Sequence, residues 1–562
     1  MSGKKSGMVL KKNDRIVFFG DSITEQHLYT NYVETYLATR FPGLNLSFLN
    51  AGWGGNSAPE GAARLDRDVL ALKPNVVTIC FGMNDGYYCE MRDEILKFFS
   101  DAMNEIVKRL KAAKVRVVLL TPGMVDHSRK KELAEINYSG RNLRILADFV
   151  LSLAKREHLP VYDIHKLMTE VDAAAKKDSP DFTMIPDSVH PDPAGHLVMA
   201  YGLLKALRVP PLKTSAQTNL KTEKFIAGKD IKISGIRPLE MGFEFNVKLD
   251  HLPFFVQPDA RKILKYVRFM EEYSDFRLVF RGVKGKRHYF KTGAFRSEMI
   301  TSEELEKGIN LSAIWNNPYS RKAELIYKLT NEKDQLFYRM WRELALNGKS
   351  GTDYNRMVHI SGIRTSLFLE KIRNEIIDDP IKENSFKMLD CDLPGEPIDN
   401  NDFISCWSLR GPFKSEVKKD ITDFIGCEET ITSTIPHLSD EWKEGTLNIE
   451  NPENSLNMFF GDSINTCCYL MTIIESPVDQ EASLLLGSDD GFAVWLNGKC
   501  LESKLDLKRG LKVDQERFQV QLKKGPNPLM LKVSQGDGYW GVCARFAGLS
   551  KVVSAIRPNQ YK

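Results

Sequence analysis

Five apolar runs in the first third of the chain set the fold class: RIVFFG at 15–20, LNLSFLN at 44–50, NVVTICFG at 75–82, VRVVLLT at 115–121 and LPVYD at 159–163. None alternates apolar with polar residues. Each therefore predicts a strand buried on both faces, as the strands of a parallel sheet are. Helical stretches lie between them, at 30–40, 60–72, 90–113 and 131–157, and another follows at 192–207. Within 90–113, Ile106, Leu110 and Ala113 recur at helical spacing and share one face. Strand–helix alternation of this kind predicts an α/β fold, a doubly wound parallel sheet.

At 562 residues the chain is too long for a single core. The texture changes at Pro210-Pro211, where PPLKTSAQTN reads as a linker. Residues 222–300 hold short alternating segments, MGFEFNVKL and YFKTGAF among them, and predict β structure. From Ser302 to about Asp378 the pattern is helical, and Ser302-Glu-Glu-Leu approaches a capping box with its acid one position early. The polar stretch IIDDPIKENS (376–385) marks a second boundary, beyond which strands and Gly/Asn/Pro turns predict a β-sandwich or jelly roll. The expected domains are thus an α/β domain at 1–212, a β-rich then helical accessory region at 213–385, and a β-sandwich at 386–562.

Net charge is +4, from 78 basic and 74 acidic residues, a balance unlike that of a dedicated nucleic-acid binder. No apolar run approaches the roughly 20 residues of a membrane-spanning helix. The start, MSGKKSGMVLKKNDR, is basic but lacks the apolar stretch of a secretory signal. A cytoplasmic location is expected on that ground, and a secreted or periplasmic one if the sequence is trimmed or processed. The nine cysteines are scattered, show no zinc-ligand spacing and predict free thiols.

The tetrapeptide GDSI occurs twice, in VFFGDSIT (17–24) and MFFGDSIN (458–465). A serine nucleophile needs a base, a group that orients the base, and donors for the oxyanion. Only the first copy has histidines after it, since the last of the ten is His437. Ser22 also falls at the carboxyl end of the first strand, where open α/β sheets place ligands. Three further segments follow it. Asn50-Ala-Gly-Trp-Gly-Gly-Asn56 is rich in glycines that let backbone N–H groups approach a substrate. Gly82-Met-Asn84-Asp85 offers a side-chain amide at the end of the third strand. Asp187-Ser-Val-His190 sets an acid three residues from an imidazole on a proline-flanked loop, so the carboxylate can fix the tautomer. The second copy is read as coincidence, leading into the strand TCCYLMTII.

With these four blocks in this order, residues 12–208 resemble the GDSL/SGNH hydrolases, serine esterases with a flavodoxin-like sheet. The resemblance implies a nucleophile Ser22, triad partners Asp187 and His190, and an oxyanion hole of the Ser22 N–H, the Gly55 N–H and the Asn84 side chain. Gly55 is preferred over its neighbour Gly54. No metal or organic cofactor is then required. His27 either lines the pocket or, the reading preferred, sits on a surface loop; His127 and His165 are expected at the surface, and His196 at the start of the last helix. Trp53, Tyr87 and Tyr88 are either sugar-stacking or packing residues, and Asp85 a loop brace.

Near the other end, LGSDDGFAVWLNG (486–498) reads as turn, strand and hairpin. With residues 470–548 it resembles β-sandwich modules of the PA14 and galactose-binding-like type. Some of these hold Ca²⁺ and a sugar with a paired acid, so Asp489 and Asp490 are candidates for such a site; Trp495 is expected in the core. The basic tip Lys284-Gly-Lys-Arg-His288 is expected as a solvated turn. Together these readings point to hydrolysis of O-acyl, chiefly O-acetyl, esters on an acylated small molecule or glycan. The alternatives are a lysophospholipase or thioesterase, and an inactive carbohydrate-binding or scaffold protein.

Overall fold

A computed structural model describes residues 7–561 except 223, 240–241, 294, 347–351, 379–382, 391–392, 401, 415–422, 426–427, 429–437, 448–451, 462 and 506–507. The expected boundary within 376–385 thus lies partly outside the described residues. The chain forms two compact units: residues 1–237, 244–282 and 305–386 in one, and 238–243, 283–304 and 387–562 in the other. This grouping differs from the boundaries at 212 and 385, because much of the accessory region shares a core with the α/β domain.

In the first unit β1 (Arg15–Gly20), β2 (Ser47–Gly52), β3 (Val76–Cys80), β4 (Arg116–Leu120) and β5 (Val161–Tyr162) form a sheet of order β2-β1-β3-β4-β5. Every pairing in it is parallel, and β1 to β4 are buried almost throughout. Helices α1 (Ser22–Glu25), α2 (Leu28–Arg40), α3 (Ala58–Asp68), α4 (Asp93–Ala112), α5 (Lys131–Glu135), α6 (Arg144–Glu157), α7 (Ile164–Asp178) and α8 (Pro193–Ala206) complete the doubly wound arrangement. A π-helical turn, Tyr138–Leu143, interrupts the stretch predicted as one helix over 131–157. Helix α7 was not expected; its Asp163 N-cap, which accepts from Lys166 N at 3.0 Å, is the local signal for it.

The rest of this unit holds a small sheet, in which strand Lys213–Asn219 pairs parallel with Asp275–Arg281, followed by helices. The short α9 (Phe269–Tyr273) and α10 (Ser302–Lys307), of which residues 305–307 belong to this unit, precede α11 (Pro318–Tyr338), a π-helical segment Arg339–Leu346, and α12 (Thr352–Asp378). Ala323, Ile326, Tyr327 and Ile377 join the cluster on one face of the parallel sheet, and Phe337 and Trp341 join the other. Between α2, α11 and α12 lies a buried charge network. Lys333 Nζ meets Glu34 Oε1 at 2.5 Å and Glu370 Oε1 at 3.2 Å, and Arg373 also pairs with Glu34. Deleting one member of such a network leaves an uncompensated buried charge and costs about 3–5 kcal/mol.

The second unit is a β-sandwich of antiparallel sheets. Its larger sheet is built around strands Thr466–Ser476 and Gly525–Gln535, and its three-stranded sheet around Gln480–Ser488. Trp407, Leu470, Leu484, Leu531 and Phe546 from both sheets fill one core. Trp495 is buried in a smaller cluster, as expected. Cys80, Cys89, Cys406, Cys468 and Cys543 are free thiols. The tip at 284–288 departs from expectation. His288 is fully buried, with Nδ1 2.8 Å from Asp390 Oδ1 and Nε2 2.8 Å from Ser302 Oγ, and Arg287 donates to the Leu393 carbonyl. Strand pairing of Arg287–Thr292 with residues 387–390 draws the ring inward.

Candidate active site

Strand β1 ends at Gly20, and the chain turns at once into α1. Asp21 is its N-cap and accepts from Ile23 N at 3.0 Å. The turn is tight: a Cβ on Gly20 would come within 2.5 Å of the Cys80 carbonyl oxygen. Ser22 is thereby lifted to the carboxyl edge of the sheet. Arg64 of α3 locks this edge by donating to the carbonyls of Gly20 and Ala51 (3.0 and 2.8 Å) and to Asn56 Oδ1 (2.6 Å).

The loop before α8 brings the other partners. Ser22 Oγ lies 2.9 Å from His190 Nε2, and His190 Nδ1 lies 2.7 Å from Asp187 Oδ2. The other Asp187 oxygen accepts the backbone N–H groups of Val189 and His190 at 2.9 and 2.7 Å. Burial pushes the Asp187 carboxyl up, but these amides and the ring N–H outweigh it and hold the group below its ordinary value. The carboxylate stays ionised and fixes the imidazole tautomer, leaving Nε2 to face the serine. Ser188 takes φ +80° to make the turn, and its carbonyl accepts from Asp126 N at 3.1 Å. Asp192 anchors the far end of the loop by capping α8 through Ala194 N and Gly195 N and by pairing with Lys262 at 2.7 Å.

Two loops complete the surroundings. Gly55 has φ +76°, and a Cβ there would meet nothing within 4 Å. A Cβ on Gly54 would lie 4.0 Å from Ser22 Cβ, so this loop runs directly beside Ser22. Asn84 Nδ2 donates to the Asn56 carbonyl at 3.0 Å, and Asn84 Oδ1 accepts from Tyr88 Oη at 3.0 Å. An amide nitrogen has two hydrogens, so one remains for an incoming oxygen. Tyr88 stacks on Tyr138 at 5.1 Å, and Tyr87 and Tyr88 both have φ +52°. Two successive bulky residues in that region carry backbone strain of order 1–3 kcal/mol each, retained where the surroundings dictate it. Tyr88 is a site residue that sequence reasoning left between stacking and packing; no local pattern announces its bond to Asn84.

The remaining candidates are placed as follows. Asp85 accepts from Ala58 N at 2.7 Å and so braces the start of α3, as expected. Burial raises both the Asp85 and Asp21 carboxyls to about 7. His27 and His165 are buried rather than at the surface, and His127 is half-buried, accepting from Ser139 N at 3.0 Å. His27 packs its ring against Tyr338 at 5.9 Å, and burial depresses it to about 3. His165 Nε2 lies 2.9 Å from the Ser139 carbonyl. His196 in α8 bonds Gln26 Oε1 at 2.8 Å and is depressed to about 3, again by burial. Trp53 is half-buried beneath the Arg342 guanidinium, 3.2 Å from its ring centroid. The Asp490 carboxylate accepts from Arg509 N at 3.2 Å and Gly536 N at 2.6 Å, so both its oxygens tie loop segments together. Asp489 is raised to about 6 by burial and by Asp490 beside it. Among the described residues no group of three or more His, Cys, Asp or Glu is placed to hold a metal, and no helix is long and apolar enough to cross a membrane.

Residues 18–198 match the GDSL-like lipase/acylhydrolase family. The chain is similar to an acetylxylan esterase of Geobacillus stearothermophilus, 23% identical over 222 residues that cover 36% of this chain and 96% of the relative. It is also similar to an isoamyl acetate-hydrolyzing esterase of Saccharomyces cerevisiae, 24% identical over 210 residues that cover 34% of this chain and 86% of the relative. Among solved structures, a gut microbial diltiazem-metabolizing enzyme shares the fold with TM-score 0.57 and 22% identity, over 68% of this chain and 100% of its own.

Proposed function

We propose that this chain, whose residues 18–198 match the GDSL-like lipase/acylhydrolase family, is a carboxylic ester hydrolase that removes O-acyl groups, chiefly acetyl, from carbohydrate through an acyl-enzyme on Ser22. The observation that carries this reading is the unbroken relay from Ser22 Oγ through His190 to Asp187, with spacings of 2.9 and 2.7 Å.

The neutral His190 takes the Ser22 proton at Nε2 as Oγ attacks the acyl carbonyl, and Asp187 stabilises the imidazolium that forms. The new oxyanion is received by the N–H groups of Ser22 and Gly55 and by the second Nδ2 hydrogen of Asn84. His190 then protonates the departing alcohol. Water, deprotonated by the same imidazole, attacks the acyl-serine and releases the carboxylic acid. No step requires a metal or organic cofactor.

The preference for acetyl on sugar draws on the relatives named above, which act on acetylxylan and isoamyl acetate. Acetate release across a panel of acetylated oligosaccharides, beside hydrolysis of acetyl and octanoyl p-nitrophenyl esters, tests it. The reading expects acetate release and faster turnover of the acetyl ester. A preference for octanoyl with no acetate released would replace it with a lipolytic acylhydrolase.

A further inference from the structure

Glu25 closes α1 three residues after Ser22. Its carboxylate lies against the glycine loop: a Cβ on Gly54 would meet Glu25 Oε2 at 2.6 Å and Ser22 Cβ at 4.0 Å. A carboxylate so placed opposes any anion that develops on the acyl oxygen, and it does so in surroundings that screen poorly. Something must offset it.

The offset comes from a distant part of the chain. Tyr338, the last residue of α11, donates its hydroxyl to Glu25 Oε1 at 3.1 Å. One turn on, Arg342 Nη1 lies 3.5 Å from the same oxygen, and the two charged side chains are only 14% and 20% exposed. The Arg342 guanidinium also lies over Trp53, the residue just before Gly54 and Gly55, with its Cζ 3.2 Å from the ring centroid. Trp53 in turn meets Trp341 edge-on at 6.2 Å, and Trp341 stacks on Phe337 in the buried core of the sheet. Pairs of mobile surface charges contribute little. This one is mostly buried, its cation is stacked on an indole, and its anion has a tyrosine hydroxyl as second partner.

We propose that Arg342 is a positioning residue of the esterase site: it neutralises Glu25 and clamps Trp53, and so holds the Gly54–Gly55 loop in the arrangement that receives the oxyanion. On this account the end of α11 and the π-helical segment after it are working parts of the hydrolase. The proposal rests on the Ser22 acyl-enzyme reading above.

The asymmetry of the pair supplies the test. Removing the cation alone strands a carboxylate beside the reaction, whereas removing both charges leaves nothing to offset. With the full chain and p-nitrophenyl acetate, Arg342→Ala is expected to lower kcat about 10- to 100-fold, the size of effect that misplacement of a catalytic group produces. KM is expected to move by less than about threefold, because the loss falls on the transition state. Arg342→Lys keeps the charge and retains more of kcat. Adding Glu25→Gln to Arg342→Ala restores the part of the loss caused by the stranded carboxylate, though not the part caused by the lost Trp53 clamp, and a purely structural role for Arg342 would allow no such recovery. An Arg342→Ala variant within about twofold of wild type, or a double variant no faster than Arg342→Ala, overturns the proposal. Should Arg342→Ala fail to accumulate as folded protein, Arg342→Gln with and without Glu25→Gln is read in the same way. Ser22→Ala runs beside them: turnover by that variant sinks the acyl-enzyme reading itself, whereas a dead Ser22→Ala with an unaffected Arg342→Ala sinks this proposal alone.

Discussion

The same tetrapeptide, Gly-Asp-Ser-Ile, occurs at 20–23 and at 461–464, and the two copies end in different chemistry. The first follows β1 of a parallel sheet, whose carboxyl edge gathers loops from β1, β2 and β3 and the loop before α8. Its serine meets an imidazole. The second precedes an antiparallel strand, Thr466–Ser476, and its Ser463 hydroxyl donates to the Phe460 carbonyl at 2.9 Å. There the serine closes a turn. What surrounds a serine is therefore set by what the topology brings to it, not by the four residues around it.

The largest effect separates the copies outright. Ser22→Ala should abolish ester turnover, with a loss of about 10⁴-fold or more, while Ser463→Ala should leave kcat/KM unchanged; comparable losses from both would erase the distinction. Next comes Asn84, the oxyanion donor proposed for the first copy. Asn84→Ala is expected to lower kcat about 10²–10³-fold with a smaller change in KM. Smaller again is the effect of Tyr88→Phe, which removes the hydroxyl that orients the Asn84 amide. We expect a loss of roughly tenfold in kcat, and no further loss when the change is made in Asn84→Ala; additive losses would detach Tyr88 from the amide.

The smallest effect is one of stability and carries a sign. Asp85 is raised from its ordinary value to about 7 by burial. A carboxyl raised in the folded state contributes stability that is complete below its unfolded value and is lost as pH climbs through the folded one. Asp85→Asn can still accept from Ala58 N and has no charge to bury. Its Tm should therefore gain on wild type between pH 6 and pH 8, and a difference that is flat or shrinks over that interval would contradict the assigned burial cost.

Much of the first copy's setting was legible in the sequence because it is written locally. Unbroken apolar runs reveal doubly buried strands, and glycines, Asn84 and the Asp187–His190 spacing fall at the strand ends and loop that the fold brings together. What was illegible depends on tertiary packing. His27 and His165 sit in polar stretches that read as surface, yet His27 is covered by Tyr338 from a helix some three hundred positions away. His288 looks solvated beside Lys284, Lys286 and Arg287, and is enclosed only once its strand pairs with residues 387–390. Arg342 and Tyr338 likewise show no motif that ties them to Glu25. The α7 helix is a different case, since its Asp163 cap was visible and simply weaker than the apolar signals around it.

The central claim is that Ser22, and not its twin, is activated by His190 and Asp187. The most direct measurement is to treat the whole protein with a fluorophosphonate, digest it and map the adduct by mass spectrometry, alongside His190→Ala. The account predicts a single phosphonylated serine at Ser22 and its near-complete loss in His190→Ala. Modification of Ser463, or labelling of Ser22 at an undiminished rate without His190, would contradict it.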